Sequence, residues 1–326
     1  MTTRPGPPDL APELLLAADY RRAFGTDLRL RRGAERGHLH RVGWGQYCPV
    51  EVWGALDRDQ RYALKARAAS LSRQGALPLS HQSAAALWQL PLLAPWPDEV
   101  HFLTERASGG RSEPRIRKHA VGYDALDVSI LQGVLVTSVA RTVIELATVV
   151  NLRPAVAAAD RALAVDRTGQ IPPLTDKATL LATWERMLPF RGSVRARVVI
   201  DFATTLSGSP DESGGRVTIA LAGFPEPELQ HPFDIGDRTV FTDFFWRTVR
   251  GVGESDGRIK YFDPVMLNGR TTAEVIYEEK LREDAIRRQV AGFVRWDHVT
   301  SQSVPRMTAR LAFLGLTPGR PRLLLR

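Results

Sequence analysis

The sequence predicts an α/β protein of two domains, and three observations lead there. Segments of helical period, such as 57–74 and 138–150, alternate with short β-branched runs, such as 99–104 and 127–137. A chain of 326 residues with 44% hydrophobic and 25% charged content can bury two cores of ordinary composition. The boundary is placed near 191–195, and positive charge is unevenly divided across it. Residues 1–196 hold 26 Lys+Arg against 19 Asp+Glu, and residues 197–326 hold 18 against 17.

Taken in order, residues 1–12 are Pro-rich and expected to be disordered. Residues 13–24 have a helical pattern, Gly25, Gly33 and Gly37 break the chain, and H-L-H-R-V-G-W-G-Q-Y-C (38–48) reads as a strand with a Gly-containing turn. A helix, a basic segment and a hairpin over 13–50 are compatible with a degenerate winged-helix unit, one with no clean second recognition helix. Residues 51–192 then read as an α+β domain. Asp57 caps a helix over 57–74, and Ser80 caps the next, which stops before Pro91. Strands follow at 99–104, 115–120 and 127–137. The helix over 138–150 aligns Val139, Val143, Leu146 and Val150 on one face, with Arg141 and Glu145 at i, i+4. Further helices are expected at 154–164 and 176–188. In 193–326 a helix runs to about 206. S-G-S-P-D-E-S-G-G-R follows, where Glu212 opens a short helix. Strands at 228–233, a hairpin from 239, a helix at 276–290, a strand at 293–296 and a helix at 304–314 complete the chain.

Charge narrows the partners. Arg21, Arg22, Arg29, Arg31, Arg32, Arg36 and Arg41 crowd one segment against only Asp27 and Glu35, and Arg106, Arg111, Arg115, Arg117 and Lys118 form a second group. Such clusters favour a polyanion, and DNA is the expected partner. Arginine enrichment from a GC-rich genome explains the total charge equally well and the clustering less well. No apolar run reaches membrane-spanning length, the N-terminus has no apolar leader core, and Cys48 is the single cysteine. A cytoplasmic protein with no membrane partner is the expectation. Phosphate-cradling Gly-rich loops are absent. His38 and His40 share one face of a strand and could hold a metal or simply lie on the surface. His81, beside Ser80 and Ser83, is better explained by helix capping than by nucleophilic catalysis. Trp44, close to Arg41, is the aromatic residue placed to stack on a base.

The hairpin T-V-F-T-D-F-F-W … V-G-E-S-D carries the chemistry of the second half. If its turn is 247–250, antiparallel pairing sets Asp243 opposite Glu254; if the turn is 249–250, Asp243 faces Asp256. Opposed carboxylates about 5 Å apart repel unless a cation lies between them, and Mg2+ or Mn2+ takes oxygen ligands. Lys260 could then hold a phosphate or orient a water, the layout of metal-assisted phosphodiester hydrolysis. A solvated hairpin with scattered acids is the other reading of the same spacing.

Two stretches resemble known families. L-S-H-Q-S-A-A-A-L-W-Q-L-P (79–91), V-T-S-V-A-R-T-V-I-E-L-A (136–147) and A-A-A-D-R-A-L (157–163) resemble actinobacterial AbiEi proteins, antitoxins of type IV toxin–antitoxin systems. That resemblance implies a transcriptional regulator with an N-terminal winged helix on promoter DNA and a nucleotidyltransferase-like toxin encoded nearby. Residues 205–300 resemble the PD-(D/E)XK domain of very-short-patch-repair endonucleases, through Glu212, Asp243-Phe244, Glu254-Ser255-Asp256-Gly257, Glu279, Arg282, Asp284 and Val294-Arg295-Trp296. This implies a restriction-endonuclease-like mixed sheet flanked by helices. It also implies Asp243 and Glu254 as Mg2+ ligands, Glu212 orienting a water, and Asp256 and Lys260 in support. Lys260 stands where His is usual, and Gly253 and Ser255 flank Glu254 where bulky apolar residues are expected. The combined expectation is a DNA-binding regulator carrying an endonuclease-like domain, with a Mg-dependent endonuclease as the alternative.

Overall fold

The computed structural model describes residues 14–73, 75–108, 113–165, 171–236, 238–256 and 271–323. The expectations for residues 1–12, Arg111 and Lys260 lie outside the described residues. The protein is α/β, as expected, and divides into two compact units. One comprises Met1–Val150 with Pro173–Ile200, the other Asn151–Pro172 with Asp201–Arg326. The chain therefore passes between units more than once, rather than once near 193.

The first unit opens with β1 (Leu15–Leu16), α1 (Ala17–Phe24), α2 (Leu28–Glu35), β2 (Leu39–Gly43) and β3 (Gln46–Pro49). The strands form an antiparallel sheet in the order β1-β3-β2. Ala17, Leu30 and Tyr47 make its core, with Leu15, Tyr20, Ala34 and Leu39 against them. The basic segment thus contains a second helix that the sequence reading lacked. Leu28-Arg29-Leu30-Arg31 alternates with strand period and hides the i, i+4 pair Leu30 and Ala34, which the core selects.

α3 (Val50–Ala55) and α4 (Arg58–Leu71) follow, the second opened by Asp57 and Gln60 in a reciprocal capping box. Beyond α5 (His81–Leu87), β4 (Val100–Leu103) and β5 (Ile116–His119) pair in parallel. The single strand expected over 127–137 is a hairpin of β6 (Val128–Leu131) and β7 (Val134–Thr137). Gln132 and Gly133 both have positive φ, 50° and 77°, the backbone that a two-residue hairpin turn requires. α6 (Val139–Val149) was expected to be amphipathic. Every residue from Val139 to Ala147 is buried, Arg141, Thr142 and Glu145 included. The sequence pattern could not show this, because the charges are neutralised by one another. α7 (Leu152–Leu163) belongs to the second unit, while α8 (Lys177–Met187) and the start of α9 (Ser193–Phe202) complete the first.

In the second unit α7 packs on α10 (Pro210–Leu221). Buried Asp160 accepts from Arg216 Nη1 (2.7 Å), Ser213 Oγ (2.7 Å) and the Thr204 N–H (2.8 Å). The Ser/Gly-rich run expected as loop and short helix is largely the body of α10. Ser209 caps the Glu212 N–H, Pro210 occupies the first turn, and Ser213, Gly214 and Gly215 are buried.

The sheet has the order β11-β10-β9-β8, from β8 (Glu228–Asp234), β9 (Thr239–Trp246), β10 (Gly251–Ser255) and β11 (Gly292–Trp296). β8, β9 and β10 are antiparallel, whereas β10 and β11 are parallel across α11 (Thr272–Arg287). α12 (His298–Ser301) and α13 (Val304–Ala312) close the unit. Alternation along the strands feeds two cores. Phe244, Trp246 and Trp296 meet Ile219 of α10 and Met307 and Leu311 of α13 on one face. Phe245 and Val252 meet Ile286 of α11 on the other. No helix among the described residues is long and apolar enough to cross a membrane.

Candidate functional site

Among the described residues, three places gather chemistry-bearing side chains. The first is the acid pair of the second unit. Trp246 pairs with Gly251, Phe245 with Val252 and Phe244 with Gly253, so the turn is 247–250 and Asp243 comes level with Glu254. Asp243 Oδ2 accepts the Ser255 N–H at 2.8 Å. Glu254 is buried, and each of its oxygens accepts from an arginine: Oε1 from Arg282 Nη2 (2.8 Å), Oε2 from Arg295 Nη2 (2.9 Å). Arg295 also reaches Glu279 (2.6 Å) and Glu283 (3.2 Å), and Arg282 reaches Glu279 (3.1 Å) and the Phe241 carbonyl (2.6 Å). The cations beside the carboxylate are therefore guanidinium groups. As arranged, Glu254 does not fit a Mg2+ ligand, because a dication would have to displace or face two fixed positive charges.

The remaining acids of that set are dispersed. Glu212, on α10, accepts the Gly208 N–H (2.8 Å) and Gln230 Nε2 (3.1 Å). Gln230 lies where the β8–β9 ladder skips a pair, level with Asp243. Asp256 is exposed at the end of β10, its N–H donating to the Trp296 carbonyl. Gly253 has a local cause: a Cβ there would lie 2.5 Å from Trp296 Cζ3.

The second place is the N-terminal basic unit. Gly25, at φ 71°, ends α1. Buried Asp27 ties the turn by accepting from Arg21 (2.6 Å) and Arg31 (3.2 Å). Leu30 and Ala34 fix one face of α2 against the sheet, which turns Arg29, Arg32 and Arg36 outward at i, i+3, i+7. Arg29 lies over the Phe24 ring, and Arg22 pairs with Asp19 at 3.6 Å. Between β2 and β3 the turn exposes Trp44 (87% accessible) with the Arg41 guanidinium 5.1 Å above its ring. A groove of about 870 Å3 is lined by Arg21, Arg31, Arg41, Trp44, Lys65 and Arg73 among others.

The third place, missed in the sequence, is a histidine cluster in the first unit. His81 opens α5, His101 lies on β4 and His119 ends β5. His81 and His101 are 5% and 4% exposed. His101 Nδ1 and His119 Nε2 are 3.0 Å apart, and the His81 ring stacks on His119 at 3.8 Å. Ser80 does not cap α5 with its side chain; its hydroxyl meets His81 Nδ1 at 3.0 Å instead. Glu145 Oε2 accepts the His81 N–H (3.0 Å), while Oε1 accepts from Arg141 Nε (2.9 Å). Arg141 also binds Asp127, which binds Arg186. Burial above all, then Arg141 and Arg117, hold His81 down to about 3. Burial and the neighbouring histidines hold His101 to about 3 and His119 to about 4. All three are neutral near neutral pH. Their separation by 20 and 18 residues left no local motif to find. The pair singled out from sequence, His38 and His40, does not form such a cluster; His40 stacks on Trp53 at 4.0 Å.

Comparison with known proteins adds no assignment: no family model matches the chain, and no curated protein matches it.

Proposed function

We propose that the chain is a DNA-binding regulator of the antitoxin type that holds duplex DNA through α2 and the β2–β3 hairpin. One observation carries the reading: Arg29 and Arg32 of α2 and Arg36 at its C-cap are all exposed, beside a hairpin whose tip exposes Trp44 under Arg41. A helix fits the major groove of B-DNA, and a helix–turn–helix delivers its second helix there. Guanidinium groups on that helix reach phosphates and guanine edges, while a hairpin tip with an aromatic ring suits the adjoining backbone or minor groove. In this reading the second unit is structural or helps to grip DNA, the protein works in the cytoplasm, and a nucleotidyltransferase-like toxin is encoded nearby.

The test is fluorescence anisotropy with a labelled duplex over a salt series. Arg32→Ala/Arg36→Ala is expected to weaken binding and Asp243→Asn to leave it unchanged; an Arg variant that binds like wild type ends the proposal. A metal-dependent endonuclease is the second reading, favoured by the register that sets Asp243 level with Glu254. The arginines on Glu254 weigh against it. Cleavage of supercoiled plasmid with Mg2+ or Mn2+ by wild type but not by Asp243→Ala would establish it.

A further inference from the structure

We propose that His81, His101 and His119 form a binding site for a transition-metal ion, with Zn2+ the first candidate. One nitrogen from each lies within 4.8 Å of the others, and the three come from α5, β4 and β5. Imidazole nitrogen is a preferred ligand of Zn2+, Ni2+, Cu2+ and Fe2+, and hard Mg2+ and Ca2+ avoid it. The neutral imidazole is the form that binds metal.

The surroundings fit a ligand shell. Among the described residues His101 Nε2 is buried with no hydrogen-bond partner, and a buried polar atom left unpaired is costly. Glu145 Oε2 stands 3.6 Å from His81 Nδ1, where a carboxylate can orient a ligating imidazole and offset the charge of the ion. The groups facing the cluster are Ser80 before α5, Glu145 and Arg141 from α6, and Arg117 from β5. Arg117 opposes a cation, whereas Arg141 is already paired with Glu145 and Asp127.

Binding requires one rearrangement. Stacked rings direct their lone pairs in parallel planes, and tetrahedral Zn2+ with bonds of about 2.0 Å needs ligand nitrogens roughly 3.3 Å apart. The His81 ring must therefore turn off His119 and the cluster must contract. His81 has φ 51°, in the left-handed region that a non-glycine residue adopts at a cost, as residues at ligand clamps often do.

The experiment uses the full chain, stripped with EDTA and re-equilibrated with Zn2+ or Co2+. One equivalent of tightly held metal is expected, with the visible bands of tetrahedral Co2+. At free Zn2+ about 100-fold above Kd, the unfolding constant should fall about 100-fold. His101→Gln and His119→Gln should each lose at least tenfold in affinity, while His38→Ala/His40→Ala keeps it. Wild type that binds no metal and gains no stability overturns the proposal without recourse to variants. An unchanged Zn2+ affinity in a folded His101→Gln protein overturns it as well, by placing the ion elsewhere.

Discussion

Acidifying the metal-free protein should destabilise the first unit through its buried histidines. In an unfolded chain each imidazole titrates near about 6.5; in the fold His81 and His101 are held to about 3 and His119 to about 4. Because the folded values lie below the unfolded one, the unfolded chain takes up protons that the native state refuses. Stability is therefore complete above the unfolded value and is lost as pH falls towards the folded ones. Between about pH 7 and about pH 5.5 each such group costs about 1.2 kcal/mol, so His81 and His101 together cost about 2.5 kcal/mol. His119 is only partly buried and adds less. Burial pushes Glu145 up, which works in the opposite sense and trims the total. Glu113, held to about 2 by Arg73 and Lys118, loses its contribution only at lower pH. Urea unfolding in EDTA at the two pH values measures the loss, with His101→Gln expected to lose about half as much as wild type. Equal stability at both pH values, or an equal loss in wild type and variant, would refute the reasoning.

Three further outcomes are expected. Arg32→Ala/Arg36→Ala should reduce the slope of log K against log salt by about 1.8 and weaken duplex binding about 60-fold near 0.1 M salt, read by anisotropy. Glu254→Gln should cost about 3 kcal/mol in urea unfolding, since it strips the shared carboxylate from Arg282 and Arg295; an unchanged midpoint would show that the network contributes nothing. Gly253→Ala should cost about 2 kcal/mol by overpacking, because its Cβ would lie 2.5 Å and 2.6 Å from Trp296 ring atoms. A neutral Gly253→Ala would mean that the indole gives way freely.

Much of the fold was legible locally. Asp57 caps the helix its position announces, β9 occupies the aromatic and β-branched run before the turn, and β10 carries Val252 and Glu254 at the expected spacing. Leu28–Glu35 was not legible as a helix, because alternating Leu and Arg mimic a strand until Leu30 and Ala34 find a core. The candidate sites divide in the same way. The basic segment is contiguous and stood out in the sequence, whereas His81, His101 and His119 meet only through the parallel pairing of β4 with β5 and the placement of α5.

The sequence by itself determined where charge and apolar surface concentrate, and with them the α/β class and the arginine-rich stretch, because composition and short periods are properties of neighbours along the chain. The tertiary structure alone decided which charges meet. It chose the 247–250 turn and so the partner of Asp243. It gave Glu254 to two arginines, one from α11 and one from β11, and brought three distant histidines into one buried cluster. The physical reason is that a lone pair or a carboxylate acts over a few ångströms of space, and sequence separation does not measure that distance.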